Sequence, residues 1–123
     1  MNAAAAPWPR ELRYVRAERR LEIDFDSGET FSLAAEYLRV ESPSAEVKGH
    51  SAAGARTVPG KRHAAIDRIE PVGNYAVRLC FDDGHTTGIY PWAYLYRLGR
   101  EQNRLWPDYL ARLAAEGLSR DPV

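Results

Sequence analysis

Cysteine is almost missing from this sequence of 123 residues, in which only Cys80 carries a thiol. An intramolecular disulfide needs two cysteines. A structural zinc site of four thiolates, or of two thiolates and two imidazoles, needs more than one. The sequence therefore excludes a disulfide-stapled fold and both of these zinc sites. A chain with a single cysteine is typical of a cytoplasmic domain.

Net charge and long apolar runs are lacking as well. Seventeen Lys and Arg side chains balance seventeen Asp and Glu side chains, so the chain lacks the positive field expected of an obligate nucleic-acid binder. Four alanines at positions 3–6 precede Pro7 and are too few for the apolar core of a secretory signal. No stretch approaches the roughly 20 apolar residues of a membrane span, so no membrane contact is expected.

The length and the remaining composition are those of one folded domain. The chain is 45% hydrophobic and 28% charged, which is ordinary for a globular protein with a single core. We expect residues 1–9 to form a flexible N-terminal arm and residues 118–123 a flexible tail. The folded domain is then predicted over residues 10–117.

Two segments of the chain repeat one pattern. Residues 20–33 (RLEIDFDSGETFSL) and residues 76–89 (AVRLCFDDGHTTGI) both place alternating apolar residues before Phe-Asp-x-Gly-x-Thr. Alternation with a period of two indicates a half-buried strand. The Asp-Ser-Gly and Asp-Asp-Gly triplets favour hairpin turns, because glycine adopts a positive φ at little cost. The pattern therefore predicts two similar hairpins.

A strand is predicted before each hairpin and a helix after it. The strands are 12–15 and 66–69, and the helices are 34–39 and 91–98, the second ended by Gly99. Proline suits the first turn of a helix and glycine the position after its end. A last helix is predicted over 107–116. The fold class is therefore α+β: a single two-layer domain of two similar β-β-β-α halves joined by a long loop, plus a C-terminal helix.

The connection between the halves, residues 41–64, is longer than most loops in compact domains. It contains several glycines, prolines and serines, and most of its charged residues are basic. Loops of this length are usually functional or disordered. Both a binding loop and a solvated loop fit the sequence.

Groups that bind metals or act as nucleophiles are scattered along the chain. The histidines His50, His63 and His85 have no metal-motif spacing around them, and His85 follows a hairpin turn where an exposed polar residue is expected. Cys80 lies on a strand face that its neighbours Arg78 and Asp82 predict to be exposed, and no base is apparent near it.

Carboxylates and sequence motifs do not point to catalysis either. Asp26, Asp82 and Asp83 are typical of turn residues that bond their own backbone. Phosphate-binding glycine motifs and a nucleophile elbow do not occur in the sequence. No enzyme activity is therefore predicted.

Aromatic and basic residues each form one cluster. On the second helix, Trp92 and Tyr96 share one side and Tyr94 another, which favours one buried side and one side that contacts a partner. Packing in the core explains the same aromatic residues. The basic cluster is either a solvated strand face or a weak nucleic-acid contact. It consists of Arg13, Arg16, Arg19 and Arg20.

Three stretches are distinctive enough to resemble a family. They are Leu38–Val47 with Gly49-His50, Val58–Arg62, and Asp82–His85 leading to Gly88–Gly99. Together they resemble the gamma-butyrobetaine hydroxylase-like N-terminal domain family, over about residues 10–102. In the hydroxylase that gives the family its name, this domain precedes a catalytic domain that uses Fe(II) and 2-oxoglutarate. The H-x-D element of such a catalytic domain does not occur in this sequence.

The resemblance also implies a position for a metal. In the namesake, the domain binds zinc through C-x-C-x-x-C and one histidine. The matching positions here are Ser42, Ser44, Val47 and His85, so only the histidine is retained. A lone histidine does not hold structural zinc, and no cofactor is expected. An incomplete iron or zinc site around His85 is the alternative.

The function implied by the resemblance is that of a non-catalytic accessory or protein-interaction module. Related copies fused to iron–sulfur carrier proteins suggest a partner that is an iron–sulfur or iron-dependent protein. Metal binding and weak nucleic-acid binding through the arginine cluster are the alternatives. The predicted interaction surface comprises Ser42, Ser44, Glu46, His50, His85, Tyr90, Trp92, Tyr94 and Tyr96.

Overall fold

The computed structural model of the protein describes residues 7–44 and 56–123. It contains two antiparallel sheets, and alternating apolar residues form the first of them. Strands β1 (Pro9–Val15), β2 (Arg20–Phe25) and β3 (Thr30–Ala34) lie side by side in that order. Every second residue of β2, from Leu21 to Phe25, is buried, as the alternation predicts.

The second sheet repeats this arrangement. Strands β4 (Ile66–Val72), β5 (Ala76–Phe81) and β6 (Ile89–Pro91) again follow the chain order. Both faces of β5 are covered, so Cys80 is buried rather than exposed. The guanidinium of Arg68, on the neighbouring strand, lies 3.5 Å from the Cys80 sulfur. The prediction of an exposed face was wrong here because it weighed only the neighbours of Cys80 in sequence.

Each sheet is followed by a helix: α1 (Ala35–Val40) after the first sheet and α2 (Trp92–Arg100) after the second. Gly99 lies inside α2 and does not end it. A Cβ at Gly99 would overlap the ring of Phe31 on β3, so the glycine permits a close approach between the two halves.

The C-terminal helix α3 (Gln102–Ala115) begins five residues earlier than predicted. Only Glu101 separates it from α2, and the backbone hydrogen bonds continue across this residue. The Glu101 N–H donates to the Arg97 carbonyl at 2.9 Å, and the Leu105 N–H donates to the Glu101 carbonyl at 2.8 Å. Pro107 therefore lies inside the helix rather than at its start.

The core is shared by both halves. Buried residues of β2, β3 and α1 pack with those of β5, β6 and α2 in one cluster. A smaller cluster joins α3 to the end of α1 through Val40, Tyr109 and Leu113. The predicted α+β domain of two β-β-β-α halves with a C-terminal helix is therefore confirmed.

The C-terminal residues, predicted as a flexible tail, are hydrogen-bonded to the rest of the chain. The N–H groups of Gly60 and Arg62 donate to the carbonyls of Ser119 and Arg120 at 2.9 and 3.0 Å. Arg120 also donates two hydrogen bonds, of 2.7 and 2.8 Å, to the Glu36 carboxylate. Of the predicted N-terminal arm, residues 1–6 lie outside the described part of the chain.

Among the residues that the structure describes, the helices lack the length and apolar content that a membrane span requires.

Candidate functional site

Ser42 and His85 meet inside the domain. Ser42 follows α1 and is completely buried, and His85 follows the turn after β5 and is 7% exposed. Ser42 Oγ lies 2.9 Å from His85 Nε2, and it also accepts the N–H of Ser44 at 3.2 Å. The imidazole also packs near the ring of Phe81. The prediction that His85 is exposed was wrong, because this hydrogen bond and this ring contact hold it in the interior.

The backbone at Gly88 closes this cluster from the other side. A Cβ at Gly88 would lie 2.6 Å from Ser42 Oγ and 3.0 Å from the ring of Tyr90. Ser44 Oγ forms a hydrogen bond of 2.8 Å with Thr87 Oγ1. Ser42 and Ser44, which the resemblance aligns with zinc ligands, are thus bonded to the segment that follows β5. The other predicted residues, Glu46, Val47 and His50, lie outside the described residues.

A charged group borders the Ser42–His85 pair. Asp83 Oδ2 accepts hydrogen bonds from Arg39 Nε at 2.9 Å and from Lys61 Nζ at 2.6 Å, and Oδ1 accepts the His85 N–H at 3.0 Å. Partial burial acts to raise the pKa of the Asp83 carboxyl, but these three donors outweigh it and hold the pKa well below its usual range. Within the described chain, Arg39 Nη1 is buried without a hydrogen-bond partner.

Tyrosine hydroxyls join the two halves across the core. Tyr90 is fully buried and donates to the Leu38 carbonyl at 2.6 Å, while Tyr94 donates to the Glu41 carbonyl at 2.5 Å. From the other direction, Tyr37 donates to the carbonyl of Leu98 at 2.7 Å. Burial raises the pKa of the Tyr37 and Tyr90 phenols well above the ordinary value. These tyrosines hold α1 and the residue that follows it against β6 and α2.

The aromatic residues predicted for an interaction surface differ in exposure. Tyr90 lies in the interior, whereas Trp92, Tyr94 and Tyr96 are half-buried. Sequence reasoning missed Tyr75, whose side chain is 54% exposed beside Trp92. A large aromatic residue directly after the Gly73-Asn74 turn was the available signal, because turn positions are normally polar.

The arginine cluster is bonded mostly within the protein. Arg13 pairs with Glu22, Arg16 donates to the Ile66 and Asp67 carbonyls, and Arg20 donates to Ser32. The fourth member, Arg19, adopts a left-handed conformation at the turn before β2, with φ of 52°. The hydrogen bonds from Arg16 to β4 link the first half of the chain to the second.

A metal ion needs several donor side chains in one place. In that part of the chain, no three His, Cys, Asp or Glu side chains lie close enough together to hold a metal ion. The hydrogen bonds of Ser42, Ser44 and His85 occupy the positions that the resemblance assigns to ligands.

Solved structures share this fold. One protein whose structure was determined by NMR in solution is 49% identical, with a TM-score of 0.84 over 100% of this chain and 92% of that one. A second NMR structure is 41% identical, with a TM-score of 0.84 over 97% and 94% of the two chains. A crystal structure of a DUF971-family protein of unknown function from Acidithiobacillus ferrooxidans is 41% identical, with a TM-score of 0.64 over 77% and 98%.

Comparison with families agrees with these structures. No curated protein matched the chain. The family model described as "Gamma-butyrobetaine hydroxylase-like, N-terminal" matches residues 12–96, which is the span that contains both hairpins, Ser42 and His85. The chain therefore belongs to the gamma-butyrobetaine hydroxylase-like N-terminal domain family.

Proposed function

We propose that this domain is a non-catalytic module that binds a protein partner through an aromatic face made of Tyr75, Pro91 and Trp92, the Tyr75 face. The observation that carries the proposal is the exposure of Tyr75, at 54%. Exposed tyrosine and tryptophan side chains are enriched among the residues that dominate binding energy at protein interfaces. The Tyr75 face is therefore the best candidate for a contact surface.

Hydrogen bonds hold Trp92 against the turn that carries Tyr75, which supports a binding role. The Trp92 N–H donates to the Tyr75 carbonyl at 3.1 Å, and the indole N–H donates to the Asn74 carbonyl at 2.9 Å. A Cβ at Gly73 would lie 2.9 Å from the Tyr75 ring, so this ring packs closely over the turn. A surface ordered in advance loses less conformational entropy on binding.

In this proposal, the buried residues of the predicted surface stabilise the fold and do not touch the partner. Ser42, His85 and Tyr90 are buried and hydrogen-bonded. We propose that the hydrogen bonds of Ser42 and Ser44 replace the metal that the family resemblance implies, so that the domain folds without a cofactor. Elemental analysis of the purified chain tests this. A stoichiometric metal that is lost in His85→Ala would contradict it.

An iron–sulfur or iron-dependent protein is the class of partner that we propose to test first. The support is the resemblance to the N-terminal domain of an iron-dependent hydroxylase. No group on the Tyr75 face requires the partner to be charged, since its side chains are aromatic or apolar. Binding is therefore expected to depend only weakly on salt, in contrast to the steep dependence of nucleic-acid binding.

Affinity capture with three forms of the full chain tests the proposal. Wild type, Tyr75→Ser and the control Leu110→Ser are compared, because Leu110 is another exposed apolar residue (37%) and lies on α3. We expect at least one protein to be depleted about tenfold with Tyr75→Ser and retained with Leu110→Ser. Equal capture by all three forms, at unchanged melting temperature, would refute the Tyr75 face.

A further inference from the structure

An open cleft of about 500 Å³ lies between the end of the first sheet, α1 and α3. A volume of this size is typical of small-molecule sites. Ala34, Tyr37, Trp106 and Pro107 give the cleft apolar walls. The remaining lining residues are polar: Arg20, Glu36, Gln102, Asn103 and Arg120.

Charge in the cleft is unbalanced at one residue. Glu36 and Arg120 neutralise each other through two hydrogen bonds of 2.7 and 2.8 Å. Arg20 has no carboxylate partner in the described part of the chain, and Glu22, the nearest acidic residue along β2 after it, is bonded to Arg13. One half-buried positive charge therefore faces the cleft without compensation.

The guanidinium of Arg20 is fixed in place. Its Nε donates to Ser32 Oγ at 2.7 Å and its Nη2 donates to the Ser32 carbonyl at 2.6 Å. These bonds leave Nη1 without a hydrogen bond to any described residue, although it is not sealed in the interior. An immobilised arginine with a free N–H edge is suited to an oxygen anion, because little entropy is lost when the ion pair forms.

Further hydrogen-bond donors line the same cleft. The indole N–H of Trp106 and the side-chain amides of Gln102 and Asn103 form no hydrogen bond with a described residue. The position of the indole is set by Tyr37, whose ring meets it edge-on at 6.1 Å, and by the Arg120 guanidinium at 5.3 Å from its centroid. The cleft thus offers several hydrogen-bond donors together with one uncompensated cation.

We infer that this cleft binds a carboxylate that carries a short apolar body. One uncompensated charge matches a monoanion, and the apolar walls match a hydrocarbon group better than a second charge. A free organic acid and the C-terminal carboxylate of a peptide share this chemistry. The inference does not rest on partner binding at the Tyr75 face.

Titration of the isotope-labelled full chain by NMR tests the inference. Sodium hexanoate is the probe, and hexanamide is its uncharged match. We expect hexanoate to cause a saturable shift of the Trp106 indole N–H and of the Arg20 and Asn103 amides, and hexanamide to bind at least tenfold more weakly. The indole signals of Trp8 and Trp92 should not move and serve as internal references.

Variants then assign the binding to Arg20. Arg20→Gln should weaken hexanoate binding at least tenfold. The control Arg68→Gln removes an equal charge from an exposed arginine on β4, which pairs with Glu70, and should change nothing. If Arg20→Gln does not fold, Asn103→Trp replaces it, because the ring fills the mouth of the cleft and should abolish the shift.

Two peptide probes distinguish the sources of the carboxylate. Acetyl-Gly-Ala-Leu with a free carboxylate is compared with its C-terminal amide. Tighter binding of the free peptide than of hexanoate indicates a chain end, and the reverse indicates a free acid. Either result supports the cleft, provided that the amide form binds at least tenfold more weakly.

Several results would overturn the inference. They are the lack of a saturable shift with both acids, equal binding of hexanamide, full binding by Arg20→Gln or Asn103→Trp, and displacement of hexanoate by inorganic phosphate at equal concentration. Tyr75→Ser should leave hexanoate binding unchanged, so failure here is separable from failure of the proposed partner surface.

Discussion

At the scale of single residues, Ser42 and His85 form a hydrogen bond in the interior of the domain. Both side chains are buried, and the Ser42 hydroxyl takes part in two hydrogen bonds, with His85 Nε2 and the Ser44 N–H. A buried polar group that loses its partner cannot form a hydrogen bond with water instead, so the loss destabilises the folded state. The serine should therefore contribute measurably to stability.

Ser42→Ala is expected to lower the free energy of unfolding by roughly 1–3 kcal/mol. Urea denaturation measures the change. Ser27→Ala is the matched control, because its hydroxyl is exposed and, among the described residues, bonds only Glu29; its effect should stay within about 0.5 kcal/mol. Equal losses in both variants would show that the Ser42–His85 bond has no special contribution.

Gly88→Ala is expected to destabilise the domain by about 1–3 kcal/mol, because the new methyl group collides with Ser42 Oγ and the buried ring of Tyr90. A double-mutant cycle separates this cause from others. In the Ser42→Ala background the closest colliding atom is gone, so Gly88→Ala should cost less there. Strictly additive costs would contradict the collision as the cause.

At the scale of elements, Asp83 connects three parts of the chain. It bonds Arg39 at the end of α1, Lys61 before β4, and the backbone of the turn after β5. The Arg39 side chain is 10% exposed, so its charge depends on this carboxylate for compensation. The position of α1 against the second sheet therefore depends on the ionisation of one residue.

Asp83→Asn is expected to reduce stability at neutral pH by roughly 1–3 kcal/mol, and the reduction should disappear in acid. The pKa of Asp83 is depressed in the folded state. Its contribution is thus complete above the unfolded-state pKa, near 4, and is lost as pH falls toward the folded-state value. Urea midpoints of both forms at pH 7 and at successively lower pH measure this. A difference that does not shrink in acid would contradict it.

Sequence patterns predicted the elements well where the pattern is local. Alternation at Leu21, Ile23 and Phe25 and the Asp-x-Gly turns gave the hairpins of both halves. Gly99 was wrongly predicted as a helix end, because its role is set by Phe31, which is distant in sequence. The early start of α3 depends on hydrogen bonds that continue from α2, which no local signal reveals.

At the scale of the whole molecule, the C-terminal segment packs back onto α1 and α3. Arg120 reaches back 84 residues to Glu36, a carboxylate that is 6% exposed. Its guanidinium also lies over the ring of Trp106 on α3. A buried carboxylate that loses its partner is strongly destabilising, so the segment should act as part of the domain.

Arg120→Ala is expected to destabilise the protein by about 1–3 kcal/mol, less than a fully buried pair because Arg120 is itself partly exposed. Arg62→Ala is the control, since it removes an exposed ion pair to Asp121 in the same segment. Thermal melting of the three proteins gives the comparison. A loss in Arg62→Ala as large as in Arg120→Ala would indicate that fixing the segment matters, and not the Glu36 charge.

The candidate sites show a limit of sequence reasoning for the molecule as a whole. The family motifs indicated that Ser42 and His85 belong together, and the structure places them in contact. The cleft beside Arg20 had no such signal, because it is bounded by β2, α1, α3 and the C-terminal segment. The sequence signal for Tyr75 was weak, since the exposure of its side chain depends on how the β4–β5 turn lies on the sheet.

The buried tyrosines also allow unfolding of the protein to be followed by the absorbance of ionised tyrosine. Burial raises the pKa of Tyr37 and Tyr90, and raises that of Tyr109 to about 12. In the folded chain these phenols stay neutral in alkali that ionises an exposed tyrosine. Their stabilising effect is complete below the ordinary pKa, near 10, and falls as pH rises above it. Alkaline unfolding should therefore release several tyrosinate chromophores in one cooperative step, without any added dye or label.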